Sequence, residues 1–188
     1  MHRIKTALAG GVATVAAALL LGCATVPAPV PDAAAKKELA PTGILRVAVF
    51  TGNPVIGTSD KKTGEVKGTT EILGRELARQ AGVRVHMIAY TSMTKLVDDA
   101  RGASWDVVVL PYDPARLNVI DFVPPHLSVG PAEGVPAAEM CFALPKGRAA
   151  ALAYVGVSMR HARESGKVAE AIERAGLRGV SVAKMTDR

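Results

Sequence analysis

The order of elements along this 188-residue chain predicts an α/β fold, a mainly parallel sheet flanked by helices. Three observations carry that expectation. Ile44–Phe50 (ILRVAVF) reads as a strand, and Trp105–Leu110 is a short, continuous, β-branched apolar run of the kind covered on both faces. Val83–Tyr90 alternates Val83, Val85, Met87, Ala89 against Arg84, His86, Ile88, Tyr90, the strand period. Between them, Thr69–Ala81 sets Ile72, Leu73 and Leu77 on one helical side with Gly82 as a stop, and Ser92 or Thr91 can cap a short helix through Leu96 to Arg101. Strand, helix, strand, helix, strand implies right-handed crossovers and parallel neighbours.

The N-terminus comes first in chain order. Arg3 and Lys5 precede an apolar stretch, Ala7–Leu21, and small Gly22 stands before Cys23, which reads as a secretory signal. That stretch is fifteen residues long, short of the about 20 that a membrane span needs. The ending Leu20-Leu21-Gly22-Cys23 resembles the lipobox of bacterial lipoproteins. The resemblance implies removal of residues 1–22, lipidation of Cys23 and a periplasmic, membrane-anchored protein; Ala24, in place of aspartate, points to the outer membrane. Cleavage leaves 166 residues, one ordinary domain with room for a core. Lys and Arg are scattered without aromatic interleaving, so no nucleic-acid partner is expected.

Residues 23–42 hold four prolines and read as a semi-extended tether, with the folded lobe over residues 43–188. Thr58–Gly68 is polar and contains Lys-Thr-Gly-Glu, a turn or short hairpin. Pro111, Asp113 and Pro114 stop the Trp105–Leu110 strand, and Trp105 itself is a packing residue. Ser128–Ala138 reads as loop and Met140–Leu144 as a short strand. Ala149–Arg163 and Lys167–Ala175 are helical, and Val180 with Val182 form a last short strand. Once Cys23 is acylated, Cys141 is the remaining thiol, and within CFAL it reads as a buried small hydrophobe rather than a reactive group.

In open α/β sheets ligands sit beyond the carboxyl ends of strands. With the first strand central, Phe50–Pro54 meets Leu110–Asp113, and Arg116 follows. A guanidinium there can grip a carboxylate through two parallel hydrogen bonds. The competing reading is a structural ion pair of Arg116 with Asp113 or Asp121.

The segments GILRVAVFTGNPVIG, TGEVKGTTEILGRELARQAGV and WDVVVLPYDPARLNVIDFVPP, in that order, resemble the family-3 extracellular solute-binding proteins, the amino-acid receptors of ABC importers. CFALPKGRAAALAYVGVSMRHARESGKVAEAIERAGLRGVSVA is similar to that family's returning strand and closing helices. The resemblance implies the type II periplasmic-binding-protein fold, but only a short bridge (127–139) joins a first segment (43–126) to the returning one (140–188). That is too few residues for a second α/β lobe, since one crossover unit alone takes roughly 30. The chain is expected to be one lobe.

By that resemblance Arg116 holds the ligand carboxylate, with Phe50, Thr51, Asn53 and Tyr112 supplying an aromatic wall and hydrogen bonds. Pro111 and Val109 stand where many members carry serines, Phe50 near where amino-acid binders often place an acid, and His126 at the cleft edge in place of a tyrosine. The expected partners are a small carboxylate or amino acid and an ABC permease. A homodimer or a separate second lobe could cover the cleft face. No cofactor is expected, and no metal, because the histidines lie apart without ligand spacing. An enzyme is not expected: no Gly-x-Ser-x-Gly elbow and no converging acid–base pair is present, although some periplasmic dehydratases share the scaffold.

Overall fold

The computed structural model of the protein describes residues 27–131 and 137–184; the signal segment, Cys23 and the middle of the bridge (132–136) fall outside them. In chain order the elements are α1 (Ala33–Leu39), β1 (Ile44–Phe50), β2 (Thr58–Ser59), β3 (Val66–Lys67), α2 (Thr69–Ala81), β4 (Arg84–Tyr90), α3 (Met93–Arg101) and β5 (Val107–Pro111). A single 3-10 turn (Pro114–Arg116) follows, then β6 (Ile120–Phe122), β7 (Leu127–Val129), β8 (Ala138–Pro145), α4 (Ala149–Glu164), α5 (Lys167–Arg174) and β9 (Val180–Val182).

Local chemistry sets the boundaries. Gly82 takes the left-handed conformation (φ 62°) that closes α2, its N–H donating to Ala78 and Arg79 carbonyls. Gly68 ahead of α2 has φ 136°, and a Cβ there would meet Gly57 Cα at 2.7 Å and Ile56 O at 2.8 Å. Only glycine lets the β2–β3 hairpin approach the helix so closely. The Ser92 hydroxyl accepts the Lys95 amide at 3.2 Å and starts α3.

The main sheet runs β4-β1-β5-β8-β7-β9, with β6 also on β8. β1 is parallel to both β4 and β5, as the crossovers require, and lies between them. β8 returns antiparallel against β5, pairing Leu110 with Cys141 and Pro111 with Met140. β6 and β7 share the far edge of β8, interrupted at Pro124-Pro125, while Val123 and His126 keep bonding to the Phe142 and Met140 carbonyls. Alternate residues feed two cores. Leu45, Val47, Val109, Phe142 and Leu144 pack with α1, α2 and α4 residues, and Ala48, Val108, Leu110 and Ala143 pack with Leu96 and Trp105 on the other face.

Three expectations need correction. The proline-rich segment is not wholly a tether. Asp32 caps Ala33–Leu39, its Oδ1 accepting the Ala35 amide at 2.7 Å, and Ala35 and Leu39 are buried. The Glu38 carboxylate accepts the Ala151 amide at the start of α4 (3.0 Å). The proline count masked a capped run of strong helix formers. Ser128–Val129, expected as loop, belong to β7, because β8 and β9 pair with it on its two edges. β8 also starts at Ala138, two residues before Met140, since its first residues pair with β7.

At the amino-terminal edge of β5, fully buried Asp106 accepts from Arg46 N (2.9 Å), Nε (2.9 Å) and Nη2 (2.7 Å) and from Arg148 Nη1 (2.8 Å). Arg148 also donates to the Glu38 carbonyl at 3.2 Å. This network joins β1, β5, α4 and α1.

Candidate functional site

The parallel pairing of β1 with β5 places their carboxyl ends side by side, so Phe50–Asn53 and Tyr112–Arg116 share one edge of the sheet. Tyr90 ends β4 on the other side of β1, and its carbonyl accepts both the Thr51 amide (2.9 Å) and the Thr51 hydroxyl (3.2 Å). Burial and the 2.8 Å hydrogen bond to Asp99 push the Tyr90 phenol up to about 12, so it remains a donor there.

Two of the expected contacts are already engaged. Asn53 Oδ1 accepts the Val55 amide at 2.9 Å and fixes the turn after β1. Thr51 is tied to Tyr90. The Phe50 ring lies over this turn, since a Cβ on Gly52 would stand 2.5 Å from its Cζ. Phe50 is half-buried and packs on both cores.

Arg116 closes the 3-10 turn that Asp113 starts, Asp113 Oδ1 accepting the Ala115 amide at 3.0 Å. Its Nε pairs with Asp113 Oδ2 at 3.2 Å, whereas Asp121 pairs with Lys146. Arg116 Nη1 is buried and has no acceptor among the described residues. The Asp113 pairing is real, therefore, but it uses one side of the guanidinium. A buried N–H without an acceptor is costly, while the Arg116 side chain as a whole keeps 22% exposure.

Tyr112 stands 46 % exposed and meets the Phe122 ring edge-on, centroids 5.4 Å apart at 70°. With Val123, Pro124, Pro125, Glu139 and Cys141 these rings line a groove of about 210 Å³ over β8. The residues beyond Tyr112 were missed from sequence. Only the β5–β8 register, continued by the Tyr112 amide on the Glu139 carbonyl at 3.0 Å, brings that wall to Tyr112. The signal was the period-two alternation Glu139-Met140-Cys141, which gives a face but no partner strand.

Other candidates fall away from the edge. His126 is fully buried against Phe142 at 5.0 Å, not at a cleft rim, and burial, with the Arg163 charge, drops its pKa to about 3. Trp105 is fully buried, its Nε1 donating to the Leu96 carbonyl at 2.9 Å, and Cys141 is buried as CFAL suggested. A depression between α2 and α5 is lined by charges already paired with one another, Arg79 with Glu76 and Lys167 with Glu170.

No protein-family model matches the chain, and no curated protein does. Among solved structures, a point mutant of the arginine-bound form of domain 1 from TmArgBP is similar at TM-score 0.59 and 20% identity, over 69% of this chain and 98% of that one. The VFT2 domain of Bordetella pertussis BvgS matches at TM-score 0.62 and 12% identity, over 78% and 99%. The ancestral amino acid-binding protein AncCDT-1, described as a precursor of cyclohexadienyl dehydratase, matches at 0.62 and 15%, over 74% and 97%. At these identities the likeness is one of fold: the chain folds as a single lobe of the type II periplasmic-binding kind.

Proposed function

We propose that this protein is a cell-envelope solute-binding protein, lipid-anchored through Cys23, whose one lobe holds a small carboxylate-bearing solute of the amino-acid class for an ABC importer. The observation that carries the reading is Arg116 at the shared carboxyl edge of β1 and β5, a partly exposed guanidinium that Asp113 engages through Nε. In its support, a structure similar to this chain is an isolated domain 1 described as arginine-bound. Binding, not catalysis, is the role proposed, although an ancestral cyclohexadienyl dehydratase is also among the similar folds.

The solute lies at the β1 and β5 tips, its carboxylate on Arg116 and its body between Phe50 and Tyr112. Full receptors close a hinge around the ligand; a single lobe gives only half of that contact, so affinity is modest. Isothermal titration with a panel of amino acids tests the reading. Arg116→Ala is expected to weaken binding about ten- to a hundredfold, the loss of charge-assisted hydrogen bonds. An affinity untouched by that substitution removes the role.

A second reading is a protein-interaction role for the same edge, favoured by the exposure of Tyr112 and of Leu117, 38 % exposed. Light scattering separates the two: dimerisation abolished by Tyr112→Ser supports an interface, and a monomer that binds amino acids supports the receptor.

A further inference from the structure

We propose that the groove over β8 is a cation subsite, with the Glu139 carboxylate and the Tyr112 and Phe122 rings taking the ammonium end of the solute; this rests on the solute-binding reading and names the class of ligand. Register defines the arrangement. Residues opposite one another on an antiparallel pair face the same side, so Tyr112 and Glu139, next in the ladder after Pro111 and Met140, stand together above buried Cys141. Phe122, Val123, Pro124 and Pro125 form the opposite wall. Pro124 and Pro125 lack amide hydrogens and interrupt the ladder along β8 where β6 gives way to β7.

The electrostatics select the ligand. The Glu139 carboxylate is half-buried and makes no hydrogen bond or ion pair with any described residue. A purely apolar guest covering it would strip water from an unpaired charge, which is unfavourable. A guest carrying –NH3+ replaces that water with an opposite charge. The edge-on arrangement of Tyr112 and Phe122 leaves ring face uncovered, and a cation within about 6 Å of an aromatic face is attracted to it. At about 210 Å³ the groove has room for an ammonium group and the carbon that bears it. Glu139 brings a carboxylate to this end of β5 from the strand that returns across the sheet. Arg116 lies in the turn that follows Tyr112 and Glu139 on the strand paired with it, so both charged residues stand beyond the same end of β5.

Three probes separate the ends of the ligand: L-leucine, 4-methylpentanoate (carboxylate only) and 3-methylbutylamine (ammonium only), titrated calorimetrically at neutral pH into the full chain. Glu139→Gln is expected to weaken leucine and the amine about fivefold, the scale of one partly exposed ion pair, and to leave 4-methylpentanoate unchanged. Arg116→Ala is expected to do the reverse, sparing only the amine. Tyr112→Leu should weaken the amine about threefold through the lost ring. If Glu139→Gln leaves leucine and the amine untouched while Arg116→Ala still weakens the carboxylates, the cation subsite is wrong and the solute-binding reading stands. If none of the probes binds at millimolar concentration, both fall.

Discussion

Replacing Asp106 with alanine should be the most damaging single polar substitution in the lobe. The side chain is fully buried and accepts four hydrogen bonds from Arg46 and Arg148 at 2.7–2.9 Å. Its removal leaves two guanidinium groups facing each other across a small void, with side-chain exposures of 23% and 12%. Breaking a buried ion pair from one side typically costs about 3–5 kcal/mol. Arg46 can recover some hydration through its exposed part, so the low end, about 3 kcal/mol, is the expected loss. With a urea m-value near 2 kcal/mol/M, the midpoint should fall by about 1.5 M. Trp105, the sole tryptophan and the adjacent residue, reports the transition by fluorescence. A triple replacement, Asp106→Leu with Arg46→Met and Arg148→Met, should recover most of the loss, because it leaves no uncompensated charge. A midpoint shift below about 0.5 M for Asp106→Ala, or a triple variant weaker than the single one, would refute the argument.

Other substitutions probe separate links. Leu39→Ala should cost about 3 kcal/mol, since this α1 side chain is wholly buried; a thermal-melt change worth less than about 0.5 kcal/mol would mean that α1 does not dock. His126 has a folded-state pKa of about 3 against an ordinary 6.5, so the unfolded chain binds the proton first as pH falls. Its contribution is intact above pH 6.5 and erodes by about 1.4 kcal/mol per unit between 6.5 and about 3. His126→Leu should flatten that part of the stability profile, read by urea melts across pH, and an unchanged slope would show that other groups set it. Gly68→Ala should lower stability by at least about 2 kcal/mol in the same melts, from the positive φ and the backbone clash with Gly57 and Ile56; wild-type stability would show that the hairpin moves aside freely.

What was legible in the sequence is what depends on neighbours along the chain. The α2 boundaries, the Gly82 stop, a cap at Thr91 or Ser92 and the two-sided burial of Val107–Leu110 all follow from local spacing and capping. The neighbouring tips of β1 and β5 were legible because crossover handedness leaves few topologies. The parts decided by partners distant in sequence were not. Leu127–Val129 carries a weak strand pattern and becomes β7 only because β8 and β9 lie on either side. Ala33–Leu39 lay among prolines, and its helix is held by residues more than a hundred positions away, Arg148 and Ala151. At the site, Arg116 and Tyr112 were visible from strand ends and family order. Glu139 and the Pro124-Pro125 wall required the register of an antiparallel strand, which no local pattern states. His126 was misplaced for a related reason, since a histidine just ahead of a short strand can face either side of the sheet.

The same geometry separates what holds the lobe together from the proposed binding edge. Asp106, Arg46, Arg148, Glu38 and Leu39 gather at the amino-terminal edge of the parallel strands, whereas Phe50, Tyr112 and Arg116 follow their carboxyl ends. Along β1, Arg46 and Phe50 are four residues apart, about 13 Å of strand. The β7–β8 hairpin pairs the returning strand within the lobe itself, so the sheet needs neither ligand nor second lobe to complete its ladder. Substitutions at the two edges should then be close to additive, because well-separated sites seldom couple. An Asp106→Asn, Arg116→Ala double variant should lose stability by the first amount and affinity by the second. Saturating ligand at about a hundred times Kd should add about 2.7 kcal/mol to the wild-type lobe and nearly as much to Asp106→Asn. If weakening the Asp106 network also abolished binding in chains that remain folded, the cleft edge would depend on the far edge of the sheet, and the division of labour argued from β1 would fail.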